Sequence, residues 1–433
     1  MKKYIYKIGF LVALALVSTS CELDDIDNPN GPSIGSVENG ATLADLQLVA
    51  IGLESVIRVD MEFYYETVAI VAREYYDLNN VDPRYTGELL GAGGGILDNN
   101  GFLTTRSFAA RYRAVRNAEL LLTALANSNA GLSTEQENGF SGFAKTIKAY
   151  QLLLVANRQF TNGIKVNSDD ASFTGSYDAS LAAIQSLLQE ANGELGSAGT
   201  AFAWPISTGF AGFDTPATFN QFNRALAARI AIYQNDRPAA LAALNASFLD
   251  LAGGLQTGPA HIFSAAGNDI LNPLFYVPDQ DLYVVHPTWL TEAEAGDTRV
   301  AGKTTAFTDG MVTADDLSGD TQVTLYGSNA TPVPIIRNEE LILLYAEANV
   351  GTDNTEAIAA INVIRASAGL PDYAGATDDN SLINEILNQR RYSLYGEGHR
   401  WIDLRRFNRL DEVPLDRSGD QVFDEFPRPV TEG

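Results

Sequence analysis

The chain is expected to be mainly α, built from tetratricopeptide-like helical hairpins packed side by side and interrupted by one long, loop-rich excursion. Three observations predict this. Apolar residues recur at helical spacing through most of the 433 positions. Start and stop residues punctuate those segments as helix ends require. One stretch, 251–333, loses the periodicity and fills with Gly, Thr, Asp and Pro. Alanines at the close contacts of successive segments suggest stacked helix pairs, although neither a strict repeat period nor the repeat's Trp and Gly signature is present.

The elements follow in order. "ATLADLQLVAIGLESVI" (41–57) opens with Thr42 as its cap, and "RSFAARYRAVRNAELLLTAL" (106–125) places Phe108, Tyr112, Val115, Ala118 and Leu122 on one face. "GFAKTIKAYQLLLVANRQF" (142–160) and "SYDASLAAIQSLLQEANGEL" (176–195) come next. A helix–turn–helix unit spans 218–248, turning at Asn235-Asp236 with Pro238 in the first turn of its second helix. Within 251–333 the short apolar runs "LFYV" and "LYVV" are strand-sized. Helices resume at 338–350, where Leu341, Leu344, Tyr345 and Ala348 form a stripe. They continue at 355–371, with Thr355 as the cap and Gly369 and Pro371 as the stop, and at 381–398, closed by two glycines.

The N-terminus reads as a targeting segment. Lys2, Lys3 and Lys7 precede the short apolar run "IGFLVALALV", and Ser18-Thr19-Ser20 lead to Cys21, the single cysteine. This arrangement resembles a bacterial lipobox, with Ser18 where Leu is commonest. Residues 1–20 are therefore expected to be a lipoprotein signal peptide and Cys21 the acylated first residue of the mature chain. At about 0.8 kcal/mol per buried methylene, several acyl chains of the palmitate kind anchor a protein durably in a bilayer. Residues 21–40, "CELDDIDNPNGPS" and onward, read as a flexible acidic tether. Residues 41–433 read as one domain, with a helical scaffold at 41–250 and 334–410 and a ligand face drawn from 251–333. With its one cysteine acylated, the chain has no disulfide.

Composition narrows the function. The formal net charge of −25 argues against nucleic acid, which demands a basic surface. The histidines His261, His286 and His399 lack metal-ligand spacing, and there is no HExxH or CxxC. "GAGGG" (91–95) has no helix carrying Lys and Ser or Thr behind it, so it is a mobile loop and not a phosphate cradle. "DDLSGD" (315–320) hints at calcium but lacks the downstream bidentate Glu; apart from a structural calcium there, no cofactor is expected. Loop aromatics are the better lead. Tyr75, Tyr76 and Tyr85 in "REYYDLNNVDPRYTGELLGAGGG", with Trp204 and Trp289, combine flat apolar faces with polar neighbours, as sugar stacking requires.

The densest signal is "NQRRYSLYGEGHRWIDLRRFNRL" (388–410). Six arginines fall between Arg390 and Arg409, in a chain whose acids outnumber its bases 54 to 29. Two fates are open: an internal lock paired with the surrounding acids, or a clamp for an anionic ligand; the excess of acids favours the lock. Arg390, the Glu397-Gly398 pair, Arg400, Trp401, Asp403, Leu404 and Arg406 resemble the C-terminal signature of the SusD/RagB family, with Gln389 and Ser393 departing from it. "RNEELILLYAEANV" and "AINVIRASAGL" ahead of it, and the lipobox, add to the likeness. The resemblance implies a SusD-like fold and a lipid-anchored outer-membrane protein facing the cell exterior. It also implies no enzymatic activity, and a role as lid of a SusC-like TonB-dependent transporter. The expected ligand is an oligosaccharide or polysaccharide, neutral rather than anionic given the acidic surface. Relatives that capture oligopeptides supply one alternative, and a surface glycan-degrading enzyme another.

Overall fold

Side-chain caps mark the starts of most of the helices. The computed structural model describes residues 34–432; the signal segment, Cys21 and most of the acidic tether lie outside the described residues. Thr42 and Asp45 exchange capping hydrogen bonds at the start of α1 (Leu43–Val56). After α2 (Glu62–Val71) and α3 (Phe102–Ala126), Ser133 and Gln136 repeat the device at α4 (Thr134–Gln159). Ser176 caps α5 (Tyr177–Leu195), Thr215 with Pro216 opens α6 (Pro216–Tyr233), and Asp236 caps α7 (Arg237–Asn245). Beyond the excursion lie α8 (Asn338–Asn349), α9 (Asn354–Ser367), α10 (Asp379–Ser393) and α11 (Arg400–Arg406). The cap of α9 is Asp353 rather than Thr355, because its carboxylate takes both the Thr355 and Glu356 N–H groups. The helix at 381–398 is shorter than expected and stops at Ser393, well before its glycines.

Most helices pack on their predecessors. α3 lies against α1 and α4, α5 against α4 and α6, and α7 against α6; α8 then docks on α7 and α6 before receiving α9 and α10. This is side-by-side hairpin stacking, and it continues from α7 to α8 as though 246–337 were not there. Two apolar clusters fill it, and α8 serves both. Leu341, Leu344 and Ala348 enter the larger one, while Ile342, Leu343 and Ala346 join Ile361, Ile364 and Ile386 in the smaller. The predicted single stripe is therefore a helix buried all round. A helical turn at Ile34–Glu38 with Val37 buried shortens the stretch left to act as a tether.

The excursion carries the strands. β1 (Tyr75–Asp77), β2 (Tyr283–Val285), β3 (Thr304–Ala306) and β4 (Thr321–Val323) form an antiparallel sheet in the order β1-β2-β4-β3. Tyr75 pairs with Val285 and Tyr76 with Val284. Because β1 follows α2 directly, this pairing fastens the excursion to the helical layer. A second pair, Ala260–His261 with Val333–Pro334, closes its base.

Candidate ligand face

The strand period decides where the predicted aromatics go. Tyr75 and Tyr76 point to opposite sides of β1, and both sides are covered. The Tyr75 ring meets Tyr276, Tyr283 and Tyr395 edge-on at centroid distances of 6.4, 6.0 and 6.2 Å. Tyr76 packs against His286 and donates its hydroxyl hydrogen to Asp416. Trp204 stacks on Phe140 at 4.3 Å, and Trp289 lies against Tyr395 at 4.2 Å with its N–H on the Arg391 carbonyl. These four rings are at most 4% exposed, so their faces meet protein and not solvent. Tyr85 alone of the five is half-buried.

What reaches the surface beside Tyr85 is a tyrosine that sequence reasoning missed. Tyr283 at the head of β2 is half-buried and stacked face to face on Tyr276, 3.6 Å apart and 10° from parallel. Both hydroxyls donate to Glu66 Oε1, at 3.1 Å from Tyr283 and 3.2 Å from Tyr276. Burial, reinforced by the charges of Asp77 and Glu62, pushes the Glu66 carboxyl up to about 8, so it is protonated at neutral pH. The Tyr85 and Tyr283 hydroxyls are raised by burial first, then by the fields of Glu66 and Asp77. The arrangement is a pair of tyrosine edges above a nest of carboxyl groups, joining aromatic area to hydrogen-bonding oxygens. The sequence does carry a signal: "YVPDQDLYVV" sets two tyrosines on either side of a Pro-Asp turn.

Beside this patch is an open depression of about 440 Å³ between Pro83–Gly87, Gly93 and Asp315–Arg417. Asp315 and Asp316 are the central residues of a hairpin turn joining Val312–Ala314 to Leu317–Gly319, with φ of +49° and +61°. "DDLSGD" is thus turn chemistry. Asp315 accepts from the Thr86 hydroxyl, and Arg417 bonds the carbonyls of both residues. Among the described residues, no group of three or more His, Cys, Asp or Glu is placed to hold a metal.

The arginine hairpin divides in two. Arg390 donates to Asp403 at 2.7 Å, and Arg406 reaches the other Asp403 oxygen at 3.0 Å while pairing with Glu347. Burial raises the Asp403 carboxyl, but Arg390 and Arg406 more than offset it and hold it down at about 2. Arg405 gives its donors to the Asp424 and Asn157 carbonyls and lies over the Phe160 and Trp401 rings. Glu397 pairs with Arg337, which also holds Glu339. Gly398 makes the approach possible: its φ is +75°, and a Cβ there would sit 2.9 Å from the Tyr64 ring. His399 lies 3.8 Å from Glu340, yet burial lowers its pKa to about 3, so the imidazole is neutral and the Glu340 charge is carried by Arg229. The buried half of the hairpin is a lock. Arg391, Arg400 and Arg409 take no part in it and line a cleft.

The comparisons with known proteins agree with this architecture. The profile of the SusD family matches residues 284–431, the stretch that runs from β2 through the arginine hairpin. The SusD-like protein P38 of Formosa agariphila is 38% identical over 92 residues, which is 19% of this chain and only 18% of that protein's length. A SusD superfamily protein from Bacteroides vulgatus superposes with a TM-score of 0.67 over 90% of this chain and 96% of its own, at 17% identity. A SusD-like carbohydrate binding protein from the same species gives 0.64 over 85% and 84% at 15% identity. A laminarin binding SusD-like protein gives 0.60 over 91% and 97% at 18% identity. At such identities the structural likeness speaks for the fold, and the family profile speaks for the hairpin that locks it. Over 284–431 the chain matches the SusD family profile, and its fold as a whole is similar to those of SusD superfamily structures.

Proposed function

We propose that this protein is a glycan-binding surface lipoprotein that presents its ligand at the Tyr85–Tyr283 patch. The observation that carries the reading is the patch itself: the partly exposed Tyr85 and Tyr283 beside Glu66, Asp77 and Glu62, with Tyr283 stacked on Tyr276 and bonded to Glu66. Names within the family point the same way, since relatives are described as carbohydrate binding and as laminarin binding. The family's pairing with a SusC-like TonB-dependent transporter makes the protein a lid that hands its catch to that channel. The reading is of capture, not chemistry.

Laminarin is the first ligand to try, by affinity electrophoresis and calorimetry. Tyr283→Ala is expected to weaken binding about tenfold, or about 1.4 kcal/mol, because it removes the exposed member of the stack. Retention of the wild-type protein by oligopeptides but by no polysaccharide would replace the glycan with a peptide. Hydrolysis products from a bound glucan would restore the enzyme reading. Co-purification with a co-expressed SusC-like transporter tests the lid.

Anchoring rests on Cys21 and the lipobox resemblance. No helix among the described residues is long and apolar enough to cross a membrane. In a bacterial host the Cys21→Ala variant is expected to lose palmitate labelling and leave the outer-membrane fraction. A variant still pelleting with membranes would refute lipid attachment.

A further inference from the structure

A second cleft shares no lining residue with the tyrosine patch. Between α10, α11 and the helical turn Pro287–Thr291 opens a cleft of about 380 Å³, within the range that holds a monosaccharide-sized ligand. Three arginines of the hairpin line it. Arg391 pairs with Glu292 and donates to the Thr288 hydroxyl at 3.2 Å, and Arg409 donates to Asn384 at 2.6 Å. Arg400 differs from both. Among the described residues the nearest carboxylate oxygen, on Glu412, is 3.9 Å away, and none of its five donors meets an acceptor within hydrogen-bond distance, although only 15% of its side chain is exposed. Its neighbours in the sequence signature, Arg390, Arg405 and Arg406, each bond an acceptor at 3.0 Å or less.

A second observation falls on the same cleft. Glu74, also in its wall, is 3% exposed; Oε1 accepts from the Gly396 N–H at 3.1 Å, while Oε2 has no partner among the described residues. Burial raises this carboxyl to about 7, against the opposing field of Arg400. Leaving a nearly buried guanidinium and a buried carboxyl oxygen without partners is unfavourable, and a ligand that bonds both removes that cost. Burial first, and then the like charge of Arg391, lowers the Arg400 pKa, which an incoming anion would reverse.

We propose that this cleft binds the carboxylate of a small, sugar-acid-sized ligand, with Arg400 as its bidentate partner and Arg391 and Arg409 flanking it. A planar guanidinium matches a carboxylate in two parallel hydrogen bonds. Glu292 and Glu412 at the rim favour a singly charged ligand over a phosphate and can accept from its hydroxyl groups. The cleft shares no residue with the glycan patch, so one protein would take neutral glucan at one place and an acidic sugar at another.

The test titrates the full-length mature protein with D-glucuronate, N-acetylalanine, D-glucose and inorganic phosphate by calorimetry. Glucuronate is expected to bind while glucose does not, and Arg400→Gln to weaken it at least about tenfold with laminarin binding unchanged. Equal affinity for N-acetylalanine assigns the site to carboxylates at large and keeps the proposal's chemistry. Arg400→Lys, which keeps the charge but loses the fork, should fall between wild type and Gln. Arginine modification by phenylglyoxal, read by mass spectrometry on the unmutated protein, removes dependence on variant folding: glucuronate should protect Arg400. Tighter binding of phosphate than of glucuronate, unchanged glucuronate affinity in Arg400→Gln, or absence of protection overturns the proposal. Loss of laminarin binding alone, in Tyr283→Ala, bears on the patch and leaves the cleft standing.

Discussion

Asp403→Ala is expected to destabilise the protein by roughly 3–5 kcal/mol, the cost of breaking a buried ion pair and stranding its partner. Arg390 is 1% exposed, has Asp403 as its one carboxylate partner, and already carries an Nη1 with no acceptor. Arg406 keeps Glu347 and suffers less. The measurement is a urea-unfolding midpoint at neutral pH. Arg390→Met combined with Asp403→Leu should recover much of the loss, since an apolar pair of similar volume needs no compensating charge. A double variant no more stable than the singles would mean that the hairpin depends on this pair for its conformation and not for charge balance alone. Acid should act in the same direction. Asp403 and Glu340 both titrate near about 2 in the folded chain, below their ordinary 3.8 and 4.5, so their contribution is present above those values and is lost as pH falls towards 2.

Glu66→Gln is expected to stabilise the protein by a few kcal/mol at about pH 8 and to change little at about pH 5. The folded chain holds the Glu66 proton until about 8, whereas the unfolded chain releases it near 4.5. Between those values the folded state binds more protons, so its stability declines as pH rises through the window. Glutamine keeps an acceptor for Tyr276 and Tyr283 and removes the titration. Glu74, raised to about 7 by burial, slopes the wild-type curve the same way and remains in the variant as background. Thermal midpoints of both proteins across that range decide it: a constant offset at every pH would show that Glu66 is not the titrating group.

Much of this fold could be read from the residues, and the exceptions share a cause. Caps at Thr42 and Asp236 and the stop at Gly369 are local signals, decided within four residues. α2 was not legible, because nine of its ten residues are buried and a helix apolar all round has no stripe. Tyr75 and Trp289 look like binding residues in sequence because they stand beside polar neighbours. The sheet, α10 and the turn after it cover them, and that covering comes from chain more than a hundred positions away. The hairpin shows the same limit at the smallest scale. Arg390 and Arg391 are adjacent, yet about 100° of helix rotation separates them, sending one into the lock and the other into the cleft.

The docking of α8 directly on α7 has a consequence for how such a chain changes over time. Because the stack closes without the intervening 246–337, that stretch is an insertion, held by two short strand pairings and by side chains such as Trp289 and Glu292 against α10 and the turn after it. Lengthening or exchanging its turns adds only a slowly growing loop-closure cost and leaves the helical frame untouched. The ligand proposed for the tyrosine patch could therefore change through Tyr276 and Tyr283 while the packing that holds the frame stays as it is.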